Sequence, residues 1–156
     1  MPKYHVPSKA VSALGFRSKL EMILNQQLVN SGVKFSYEGA LNVIKYVKPE
    51  TRHRYLADFL LENGIIIEAK GMFTSDDRKK HLYIKEQYPQ LDIRFVFMNA
   101  KNKLSKRSKT TYGMWCDKNK FLYADRCIPQ EWIEETKDES EYMEIIRTLK
   151  EMKHGH

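Results

Sequence analysis

The chain has 156 residues, 42% apolar and 12% aromatic, which suits one domain with a real core and excludes wholesale disorder. Its formal charge is +7, and no apolar run approaches the roughly 20 residues that a membrane helix needs. Cys116 and Cys127 form neither a metal-spaced pair nor a disulfide framework, and the first residues lack a signal-peptide core, so a reducing cytoplasm is expected.

Residues 1–14 lack apolar periodicity and carry Lys3, His5 and Lys9, which predicts a mobile basic arm. A helix follows from about Phe16 to Ser31, with Leu20, Ile23, Leu24 and Leu28 on one stripe and Gly32 as its stop. "VKFSYEGALNVIKYV", 33–47, reads as extended and broken near Gly39, and "KPETRHR" reads as a stiff interruption. "YLADFLLENGIIIEAKG", 55–71, is a β-hairpin signal because apolar runs flank Asn63-Gly64. "TSDDRKKHLYIKEQYP" is a helix with Thr74 or Ser75 as cap, acids in the first turn and Pro89 beyond its end. "LDIRFVFM" is a buried strand, followed by a basic loop, a short helix near "YGMWCDKN" and a strand near "FLYAD". The segment after Thr136 is amphipathic, with Tyr142, Ile145, Ile146, Leu149 and Met152 on a stripe suited to packing or dimerisation. The order predicts one α/β domain over 15–135, a mixed sheet flanked by helices, with 136–156 as a tail. No GxGxxG or Walker pattern occurs, which argues against a nucleotide cofactor.

Charge is distributed unevenly. Residues 76–109 hold ten Lys/Arg against four Asp/Glu, whereas 129–156 hold eight acids against four Lys/Arg. A basic middle suits a polyanion, most often nucleic acid, with a merely soluble surface as the alternative. Lys101, Lys103, Lys106 and Arg107 in the loop, "RKK" (Arg78, Lys79 and Lys80) in the helix, and Lys9 and Arg17 near the start are the candidate phosphate contacts.

The hairpin carries the chemistry. Glu68 and Lys70 share one face of their strand. A two-residue turn would place Phe59 opposite Glu68; a three-residue loop with left-handed Gly64 pairs Leu61 with Ile65 and sets Asp58 opposite Glu68. Two carboxylates about 4 Å apart repel by roughly 4 kcal/mol at an effective dielectric of 20, so a positive charge must sit between them. Lys70 alone would make a structural ion-pair cluster. A divalent metal serves better: hard oxygens at that spacing suit Mg²⁺, with Mn²⁺ able to substitute, and the Ala69 carbonyl is a further candidate ligand. Metal, water and Lys70 together supply what phosphodiester hydrolysis needs.

"YLADFLLENGIIIEAKG" followed by "SDDRKKHLYIKEQYPQLDIRFVF" resembles the phage endonuclease I family, the Holliday-junction resolvases of T7-type phages within the PD-(D/E)xK nuclease superfamily. "FRSKLE", "PETRHRYLAD" and "IPQEWI" extend the similarity to roughly residues 12–135. The resemblance implies a restriction-endonuclease-like sheet and an intertwined homodimer, exchanged through a bridge near Val47 to His53. It implies a Mg²⁺-dependent endonuclease for branched DNA in the host cytoplasm, with catalytic residues Glu21, Asp58, Glu68 and Lys70. It also adds Glu21 to the metal-binding Asp58, Glu68 and Ala69 carbonyl. Ala57 stands where the family's proline usually precedes the first Asp, and the tail is acidic where a basic one is typical. The competing readings are a restriction- or repair-type endonuclease on the same core and a non-catalytic DNA-binding module.

Overall fold

A computed structural model describes residues 15–48 and 51–154; the expected arm with Lys9, and Pro49 of the expected bridge, lie outside the described residues. The first helix, α1, is Lys19–Ser31. It begins three residues later than the expected Phe16 because Ser18 is the cap: its hydroxyl accepts from the Glu21 N–H while the Glu21 carboxylate accepts from the Ser18 N–H. Gly32, left-handed at φ 72°, ends it. The extended segment breaks where Gly39 predicted, into β1 (Phe35–Tyr37), a 3₁₀ turn (Ala40–Asn42) and β2 (Val43–Lys48).

From Thr51 on, "KPETRHR" is strand rather than an interruption. Thr51–Leu56 forms β3 and pairs antiparallel with β2, from Val43 opposite Leu56 to Lys48 opposite Thr51. Tyr55 and Leu56 therefore belong to this ribbon rather than to the hairpin that carries Glu68 and Lys70. That hairpin is β4 (Phe59–Leu61) and β5 (Ile66–Lys70), with Phe59 opposite Ile67 and Leu60 opposite Ile66. Leu61 N–H donates to the Ile65 carbonyl at 2.9 Å and Gly64 has φ 86°, so the loop is the three-residue kind. A Cβ on Gly64 would meet Ile145 and Tyr142 only at ordinary contact distance, 3.5 Å, so the constraint there is backbone conformation, not space. Gly64→Val should cost on the order of 1–3 kcal/mol, measured by denaturant unfolding. An unchanged midpoint would contradict the left-handed loop.

The remaining elements are α2 (Ser75–Gln87), β6 (Ile93–Phe97), α3 (Tyr112–Lys118), β7 (Tyr123–Asp125), α4 (Gln130–Glu134) and α5 (Glu139–His154). The main sheet runs β1-β4-β5-β6-β7, antiparallel over its first three strands and parallel from β5 to β7. Leu20, Leu24 and Leu28 of α1 pack on Phe59, Leu61, Ile67 and Val96 at one face. At the other, Ile84 of α2 and Ile145, Leu149 and Met152 of α5 pack on Leu60, Ile66 and Ile93. The amphipathic tail is thus part of this chain's own core, each fully buried side chain contributing about 1.5–3 kcal/mol relative to exposure. Among the described residues no helix is long and apolar enough to cross a membrane.

Candidate active site

β4 begins only at Phe59, so its ladder stops one residue short of Asp58, while β5 continues to Lys70. The Asp58 carboxylate takes over the ladder: Oδ2 accepts from the Ala69 N–H at 2.8 Å. The main chain at Asp58 is pinned by buried Asn42, whose amide donates to the Ala57 and Asp58 carbonyls at 2.9 and 3.2 Å, and by the Glu38 N–H at 3.0 Å. Ala57 needs no proline's stiffness there, because Asn42 also accepts its N–H at 2.9 Å. By the register of β5, the Ala69 carbonyl points to the side on which β4 has stopped.

Asp58 and Glu68 are both buried, at 6% and 3% exposure. Burial first, then the neighbouring Glu68, lifts the Asp58 carboxyl from 3.8 to about 8. Burial also raises Glu68, against the pull of Lys70 and Lys80. Glu68 Oε1 pairs with the Lys70 ammonium at 3.2 Å, and Oε2 is buried with no hydrogen-bond partner. Burial would lower Lys70, but Glu68 and Asp77 outweigh it and keep it charged above its usual range. Asp77 is fixed in turn: Oδ2 accepts from the Thr74 N–H and hydroxyl at 3.1 and 3.0 Å, capping α2, while Oδ1 faces Lys70 at 3.3 Å. The sequence reading assigned Asp77 only to the helix terminus and missed that it holds the lysine.

Glu21 arrives from α1 in the same chain. It is buried at 6% exposure, and its Oε2 accepts from the Arg17 N–H, the Ser18 N–H and the Tyr37 hydroxyl at 2.9, 3.2 and 3.0 Å. Tyr37 links it to the site: burial and the charges of Glu21, Glu38 and Asp58 hold its hydroxyl protonated, and its ring lies 5.1 Å from Phe59. Among the described residues no three His, Cys, Asp or Glu side chains form a ready metal cage. The donor set does fit a hard divalent cation that keeps several waters: two carboxylates, one with an orphaned buried oxygen, beside a main-chain carbonyl.

The candidate DNA contacts separate. Arg17 pairs with Glu38 at 3.1 Å, and Arg78 donates to the Phe73 carbonyl at 2.6 Å, so both have structural tasks. Lys79, Lys101, Lys103, Lys106 and Arg107 are exposed. Their loop is folded: Lys103 bridges Thr111, Leu104 N–H donates to the Thr110 carbonyl, and Lys106 and Arg107 stand in the turn between. It leaves the end of β6 where Met98 N–H bonds the Lys70 carbonyl at 3.1 Å, so it starts beside the site.

The raised Asp58 carboxyl has a consequence for stability. Between about pH 4 and pH 8 the folded chain binds a proton at Asp58 that the unfolded chain does not. The Asp58 contribution to metal-free stability is therefore full below pH 4 and is lost progressively as pH rises to about 8. Buried His81, held neutral by burial and by Lys80 and Lys70, works oppositely and weakens the fold below its unfolded pKa of about 6.5. Asp58→Asn should be more stable than the parent at pH 8 by on the order of 2–4 kcal/mol, with little difference at pH 4. Chemical denaturation in EDTA at both pH values measures this, and an unchanged pH slope would contradict it.

The mixed α/β sheet thus brings Asp58 beside Glu68 and Lys70 at the ends of two adjacent strands. The sequence profile of the phage endonuclease I family matches residues 1–153. The chain is 51% identical over 132 residues to Endodeoxyribonuclease 1 of Enterobacteria phage T3, covering 85% of this chain and 86% of that protein. It is 48% identical over 141 residues to Endonuclease I of Escherichia phage T7, covering 90% and 93%. The chain belongs to the phage endonuclease I family.

Proposed function

We propose that this phage endonuclease is a structure-specific endodeoxyribonuclease that resolves four-way (Holliday) junctions and other branched DNA by Mg²⁺- or Mn²⁺-dependent phosphodiester hydrolysis, acting as a homodimer in the host cytoplasm. The observation that carries the reading is the buried Asp58–Glu68 pair with its orphaned oxygen beside Lys70, in a chain about half identical to phage endonucleases.

Asp58, Glu68 and the Ala69 carbonyl would hold the metal, with Glu21 as the further acid that the family resemblance adds. When bound, the metal supplies a polarised water and neutralises charge developing on the phosphate. Asp58 is prepared for this role because the Ala69 N–H, donating to Oδ2, fixes one oxygen, while burial and the neighbouring Glu68 leave its charge in want of a cation. Glu68 needs a positive partner beyond Lys70, which satisfies only Oε1. Lys70, kept charged between Glu68 and Asp77, stabilises the negative scissile phosphate. Asp77 fixes the direction of that ammonium through its own cap bonds to Thr74.

Branch selectivity rests on shape. The exposed loop cations suit phosphates, and backbone contacts position DNA without reading its sequence. Two such sites in a homodimer suit a branch, where two strands must be cut. In the single chain the antiparallel β2–β3 ribbon, whose two strands run in opposite directions, stands along the chain between α1 and the hairpin that carries Glu68. This reversal keeps the α1 contacts within one chain. Opening that reversal would let the same contacts form between two chains, with Glu21 of one completing the site of the other. Cleavage of a synthetic four-way junction and of its linear duplex arms, each in Mg²⁺ and in EDTA, tests the reading. The junction should be cut in Mg²⁺ alone and the arms much more slowly; equal cleavage of both, or full activity in EDTA, would overturn it.

A further inference from the structure

Arg78, Lys79 and Lys80 look alike in the sequence, but the fold gives them three different surroundings. Arg78 bonds a main-chain carbonyl and Lys79 is exposed. Lys80 turns inward: its side chain is 19% exposed, and its ammonium lies 4.4 Å from the centroid of the Tyr55 ring and 3.8 Å from Asp77 Oδ1. Tyr55 is a prepared platform, packed edge-on against His81 at 5.4 Å and Tyr46 at 6.5 Å.

A lysine kept for solubility would not adopt this position, because ordering the side chain costs rotamer entropy and burial disfavours its charge. Asp77 does not require it either, being already satisfied by Thr74 and by Lys70 at 3.3 Å. A lysine has three N–H donors, and neither contact of Lys80 is within hydrogen-bond distance. Its donors therefore remain available to an anion. The catalytic lysine is in the opposite condition, bound by carboxylates on two sides at 3.2 and 3.3 Å. Beside the proposed metal, a phosphodiester brought to Asp58 and Glu68 meets one ammonium already engaged on two sides, so a second side-chain cation with free donors would serve it.

Resting on the nuclease reading of the site, we propose that Lys80 is that second cation, donating to a non-bridging oxygen of a backbone phosphate in the bound strand at or next to the cut. It is held for this purpose on the Tyr55 ring, inside the centre rather than on the outer basic surface.

The test compares the parent, Lys80→Met and Lys80→Arg by single-turnover junction cleavage, on normal DNA and on junctions with a neutral methylphosphonate at the scissile phosphate or at either flanking one. Lys80→Met keeps the stem against Tyr55, so its thermal midpoint should stay near the parent's. Its cleavage should slow by on the order of tenfold or more, with Lys80→Arg recovering part of the rate. At one of the three positions the neutral phosphate should slow the parent but add little to Lys80→Met, because the contact is already gone. Losses that multiply at all three positions, or a Lys80→Met rate within twofold of the parent, overturn the proposal while leaving the nuclease reading intact. A parent that fails to cut the junction at all overturns that reading and the proposal with it.

Discussion

Glu68→Gln and Lys70→Met should cut a four-way junction on the order of 10³-fold more slowly than the parent, while binding it with nearly unchanged affinity. Both substitutions preserve shape. Glu68→Gln removes a buried charge whose Oε2 has no partner, so folding should not suffer. Lys70→Met keeps the side-chain stem but leaves Glu68 and Asp77 without the ammonium they share. What is lost in each case is charge placed where the reaction develops it. On the proposed reading, binding would rest on phosphate contacts spread over exposed basic residues, which neither variant touches. Single-turnover cleavage in Mg²⁺ and gel-shift binding in Ca²⁺ separate the two quantities, since Ca²⁺ holds oxygens in a looser, higher-coordinate geometry than Mg²⁺. Cleavage within tenfold of the parent by either variant would remove that residue from the chemistry.

A mixed dimer gives the second large effect. If Glu21 of one chain completes the site of the other, a dimer of a Glu21→Ala chain with a Glu68→Ala chain holds one site with both defects and one intact. The intact site should nick one strand of a junction, whereas each parental variant alone should be inactive. If Glu21 serves its own chain, as the intrachain bonds to Tyr37 and Arg17 allow, each site of the mixed dimer carries one defect and neither cuts. Co-expression with two different tags isolates the mixed species. Unilateral nicking supports exchange; a mixed dimer as inactive as its parents contradicts it.

The site was legible in the sequence to the extent that its logic was local. Asn63-Gly64 with an extra residue sets the loop, the loop sets Phe59 opposite Ile67, and that register brings Asp58 alongside β5. The capped start of α2 was equally local. What the sequence concealed depends on packing between distant elements. β3 looked like a linker because Arg52, Arg54 and a nearby proline outweigh its alternation. Its inward face becomes a strand face only when His53 stacks on Tyr46, at 5.5 Å, and Tyr55 packs on His81. Asp77 read only as a helix-terminus acid and Lys80 only as one of three alike candidate phosphate contacts, since nothing in their spacing reveals that the two converge on Lys70 and Tyr55. Asn42 was equally silent: a buried asparagine bonded to two carbonyls fifteen and sixteen residues on has no periodic signature.

That the Asp58–Glu68 pair is a divalent-cation site is tested most directly by titrating Mn²⁺ into metal-free protein at pH 7, by calorimetry in two buffers of different ionisation enthalpy. With the Asp58 carboxyl lifted to about 8, cation binding must displace its proton. The expected result is saturable binding with roughly one proton released per ion, both being lost in Asp58→Asn. Undiminished binding by Asp58→Asn, or no saturable binding by the parent at millimolar Mn²⁺, would contradict the assignment.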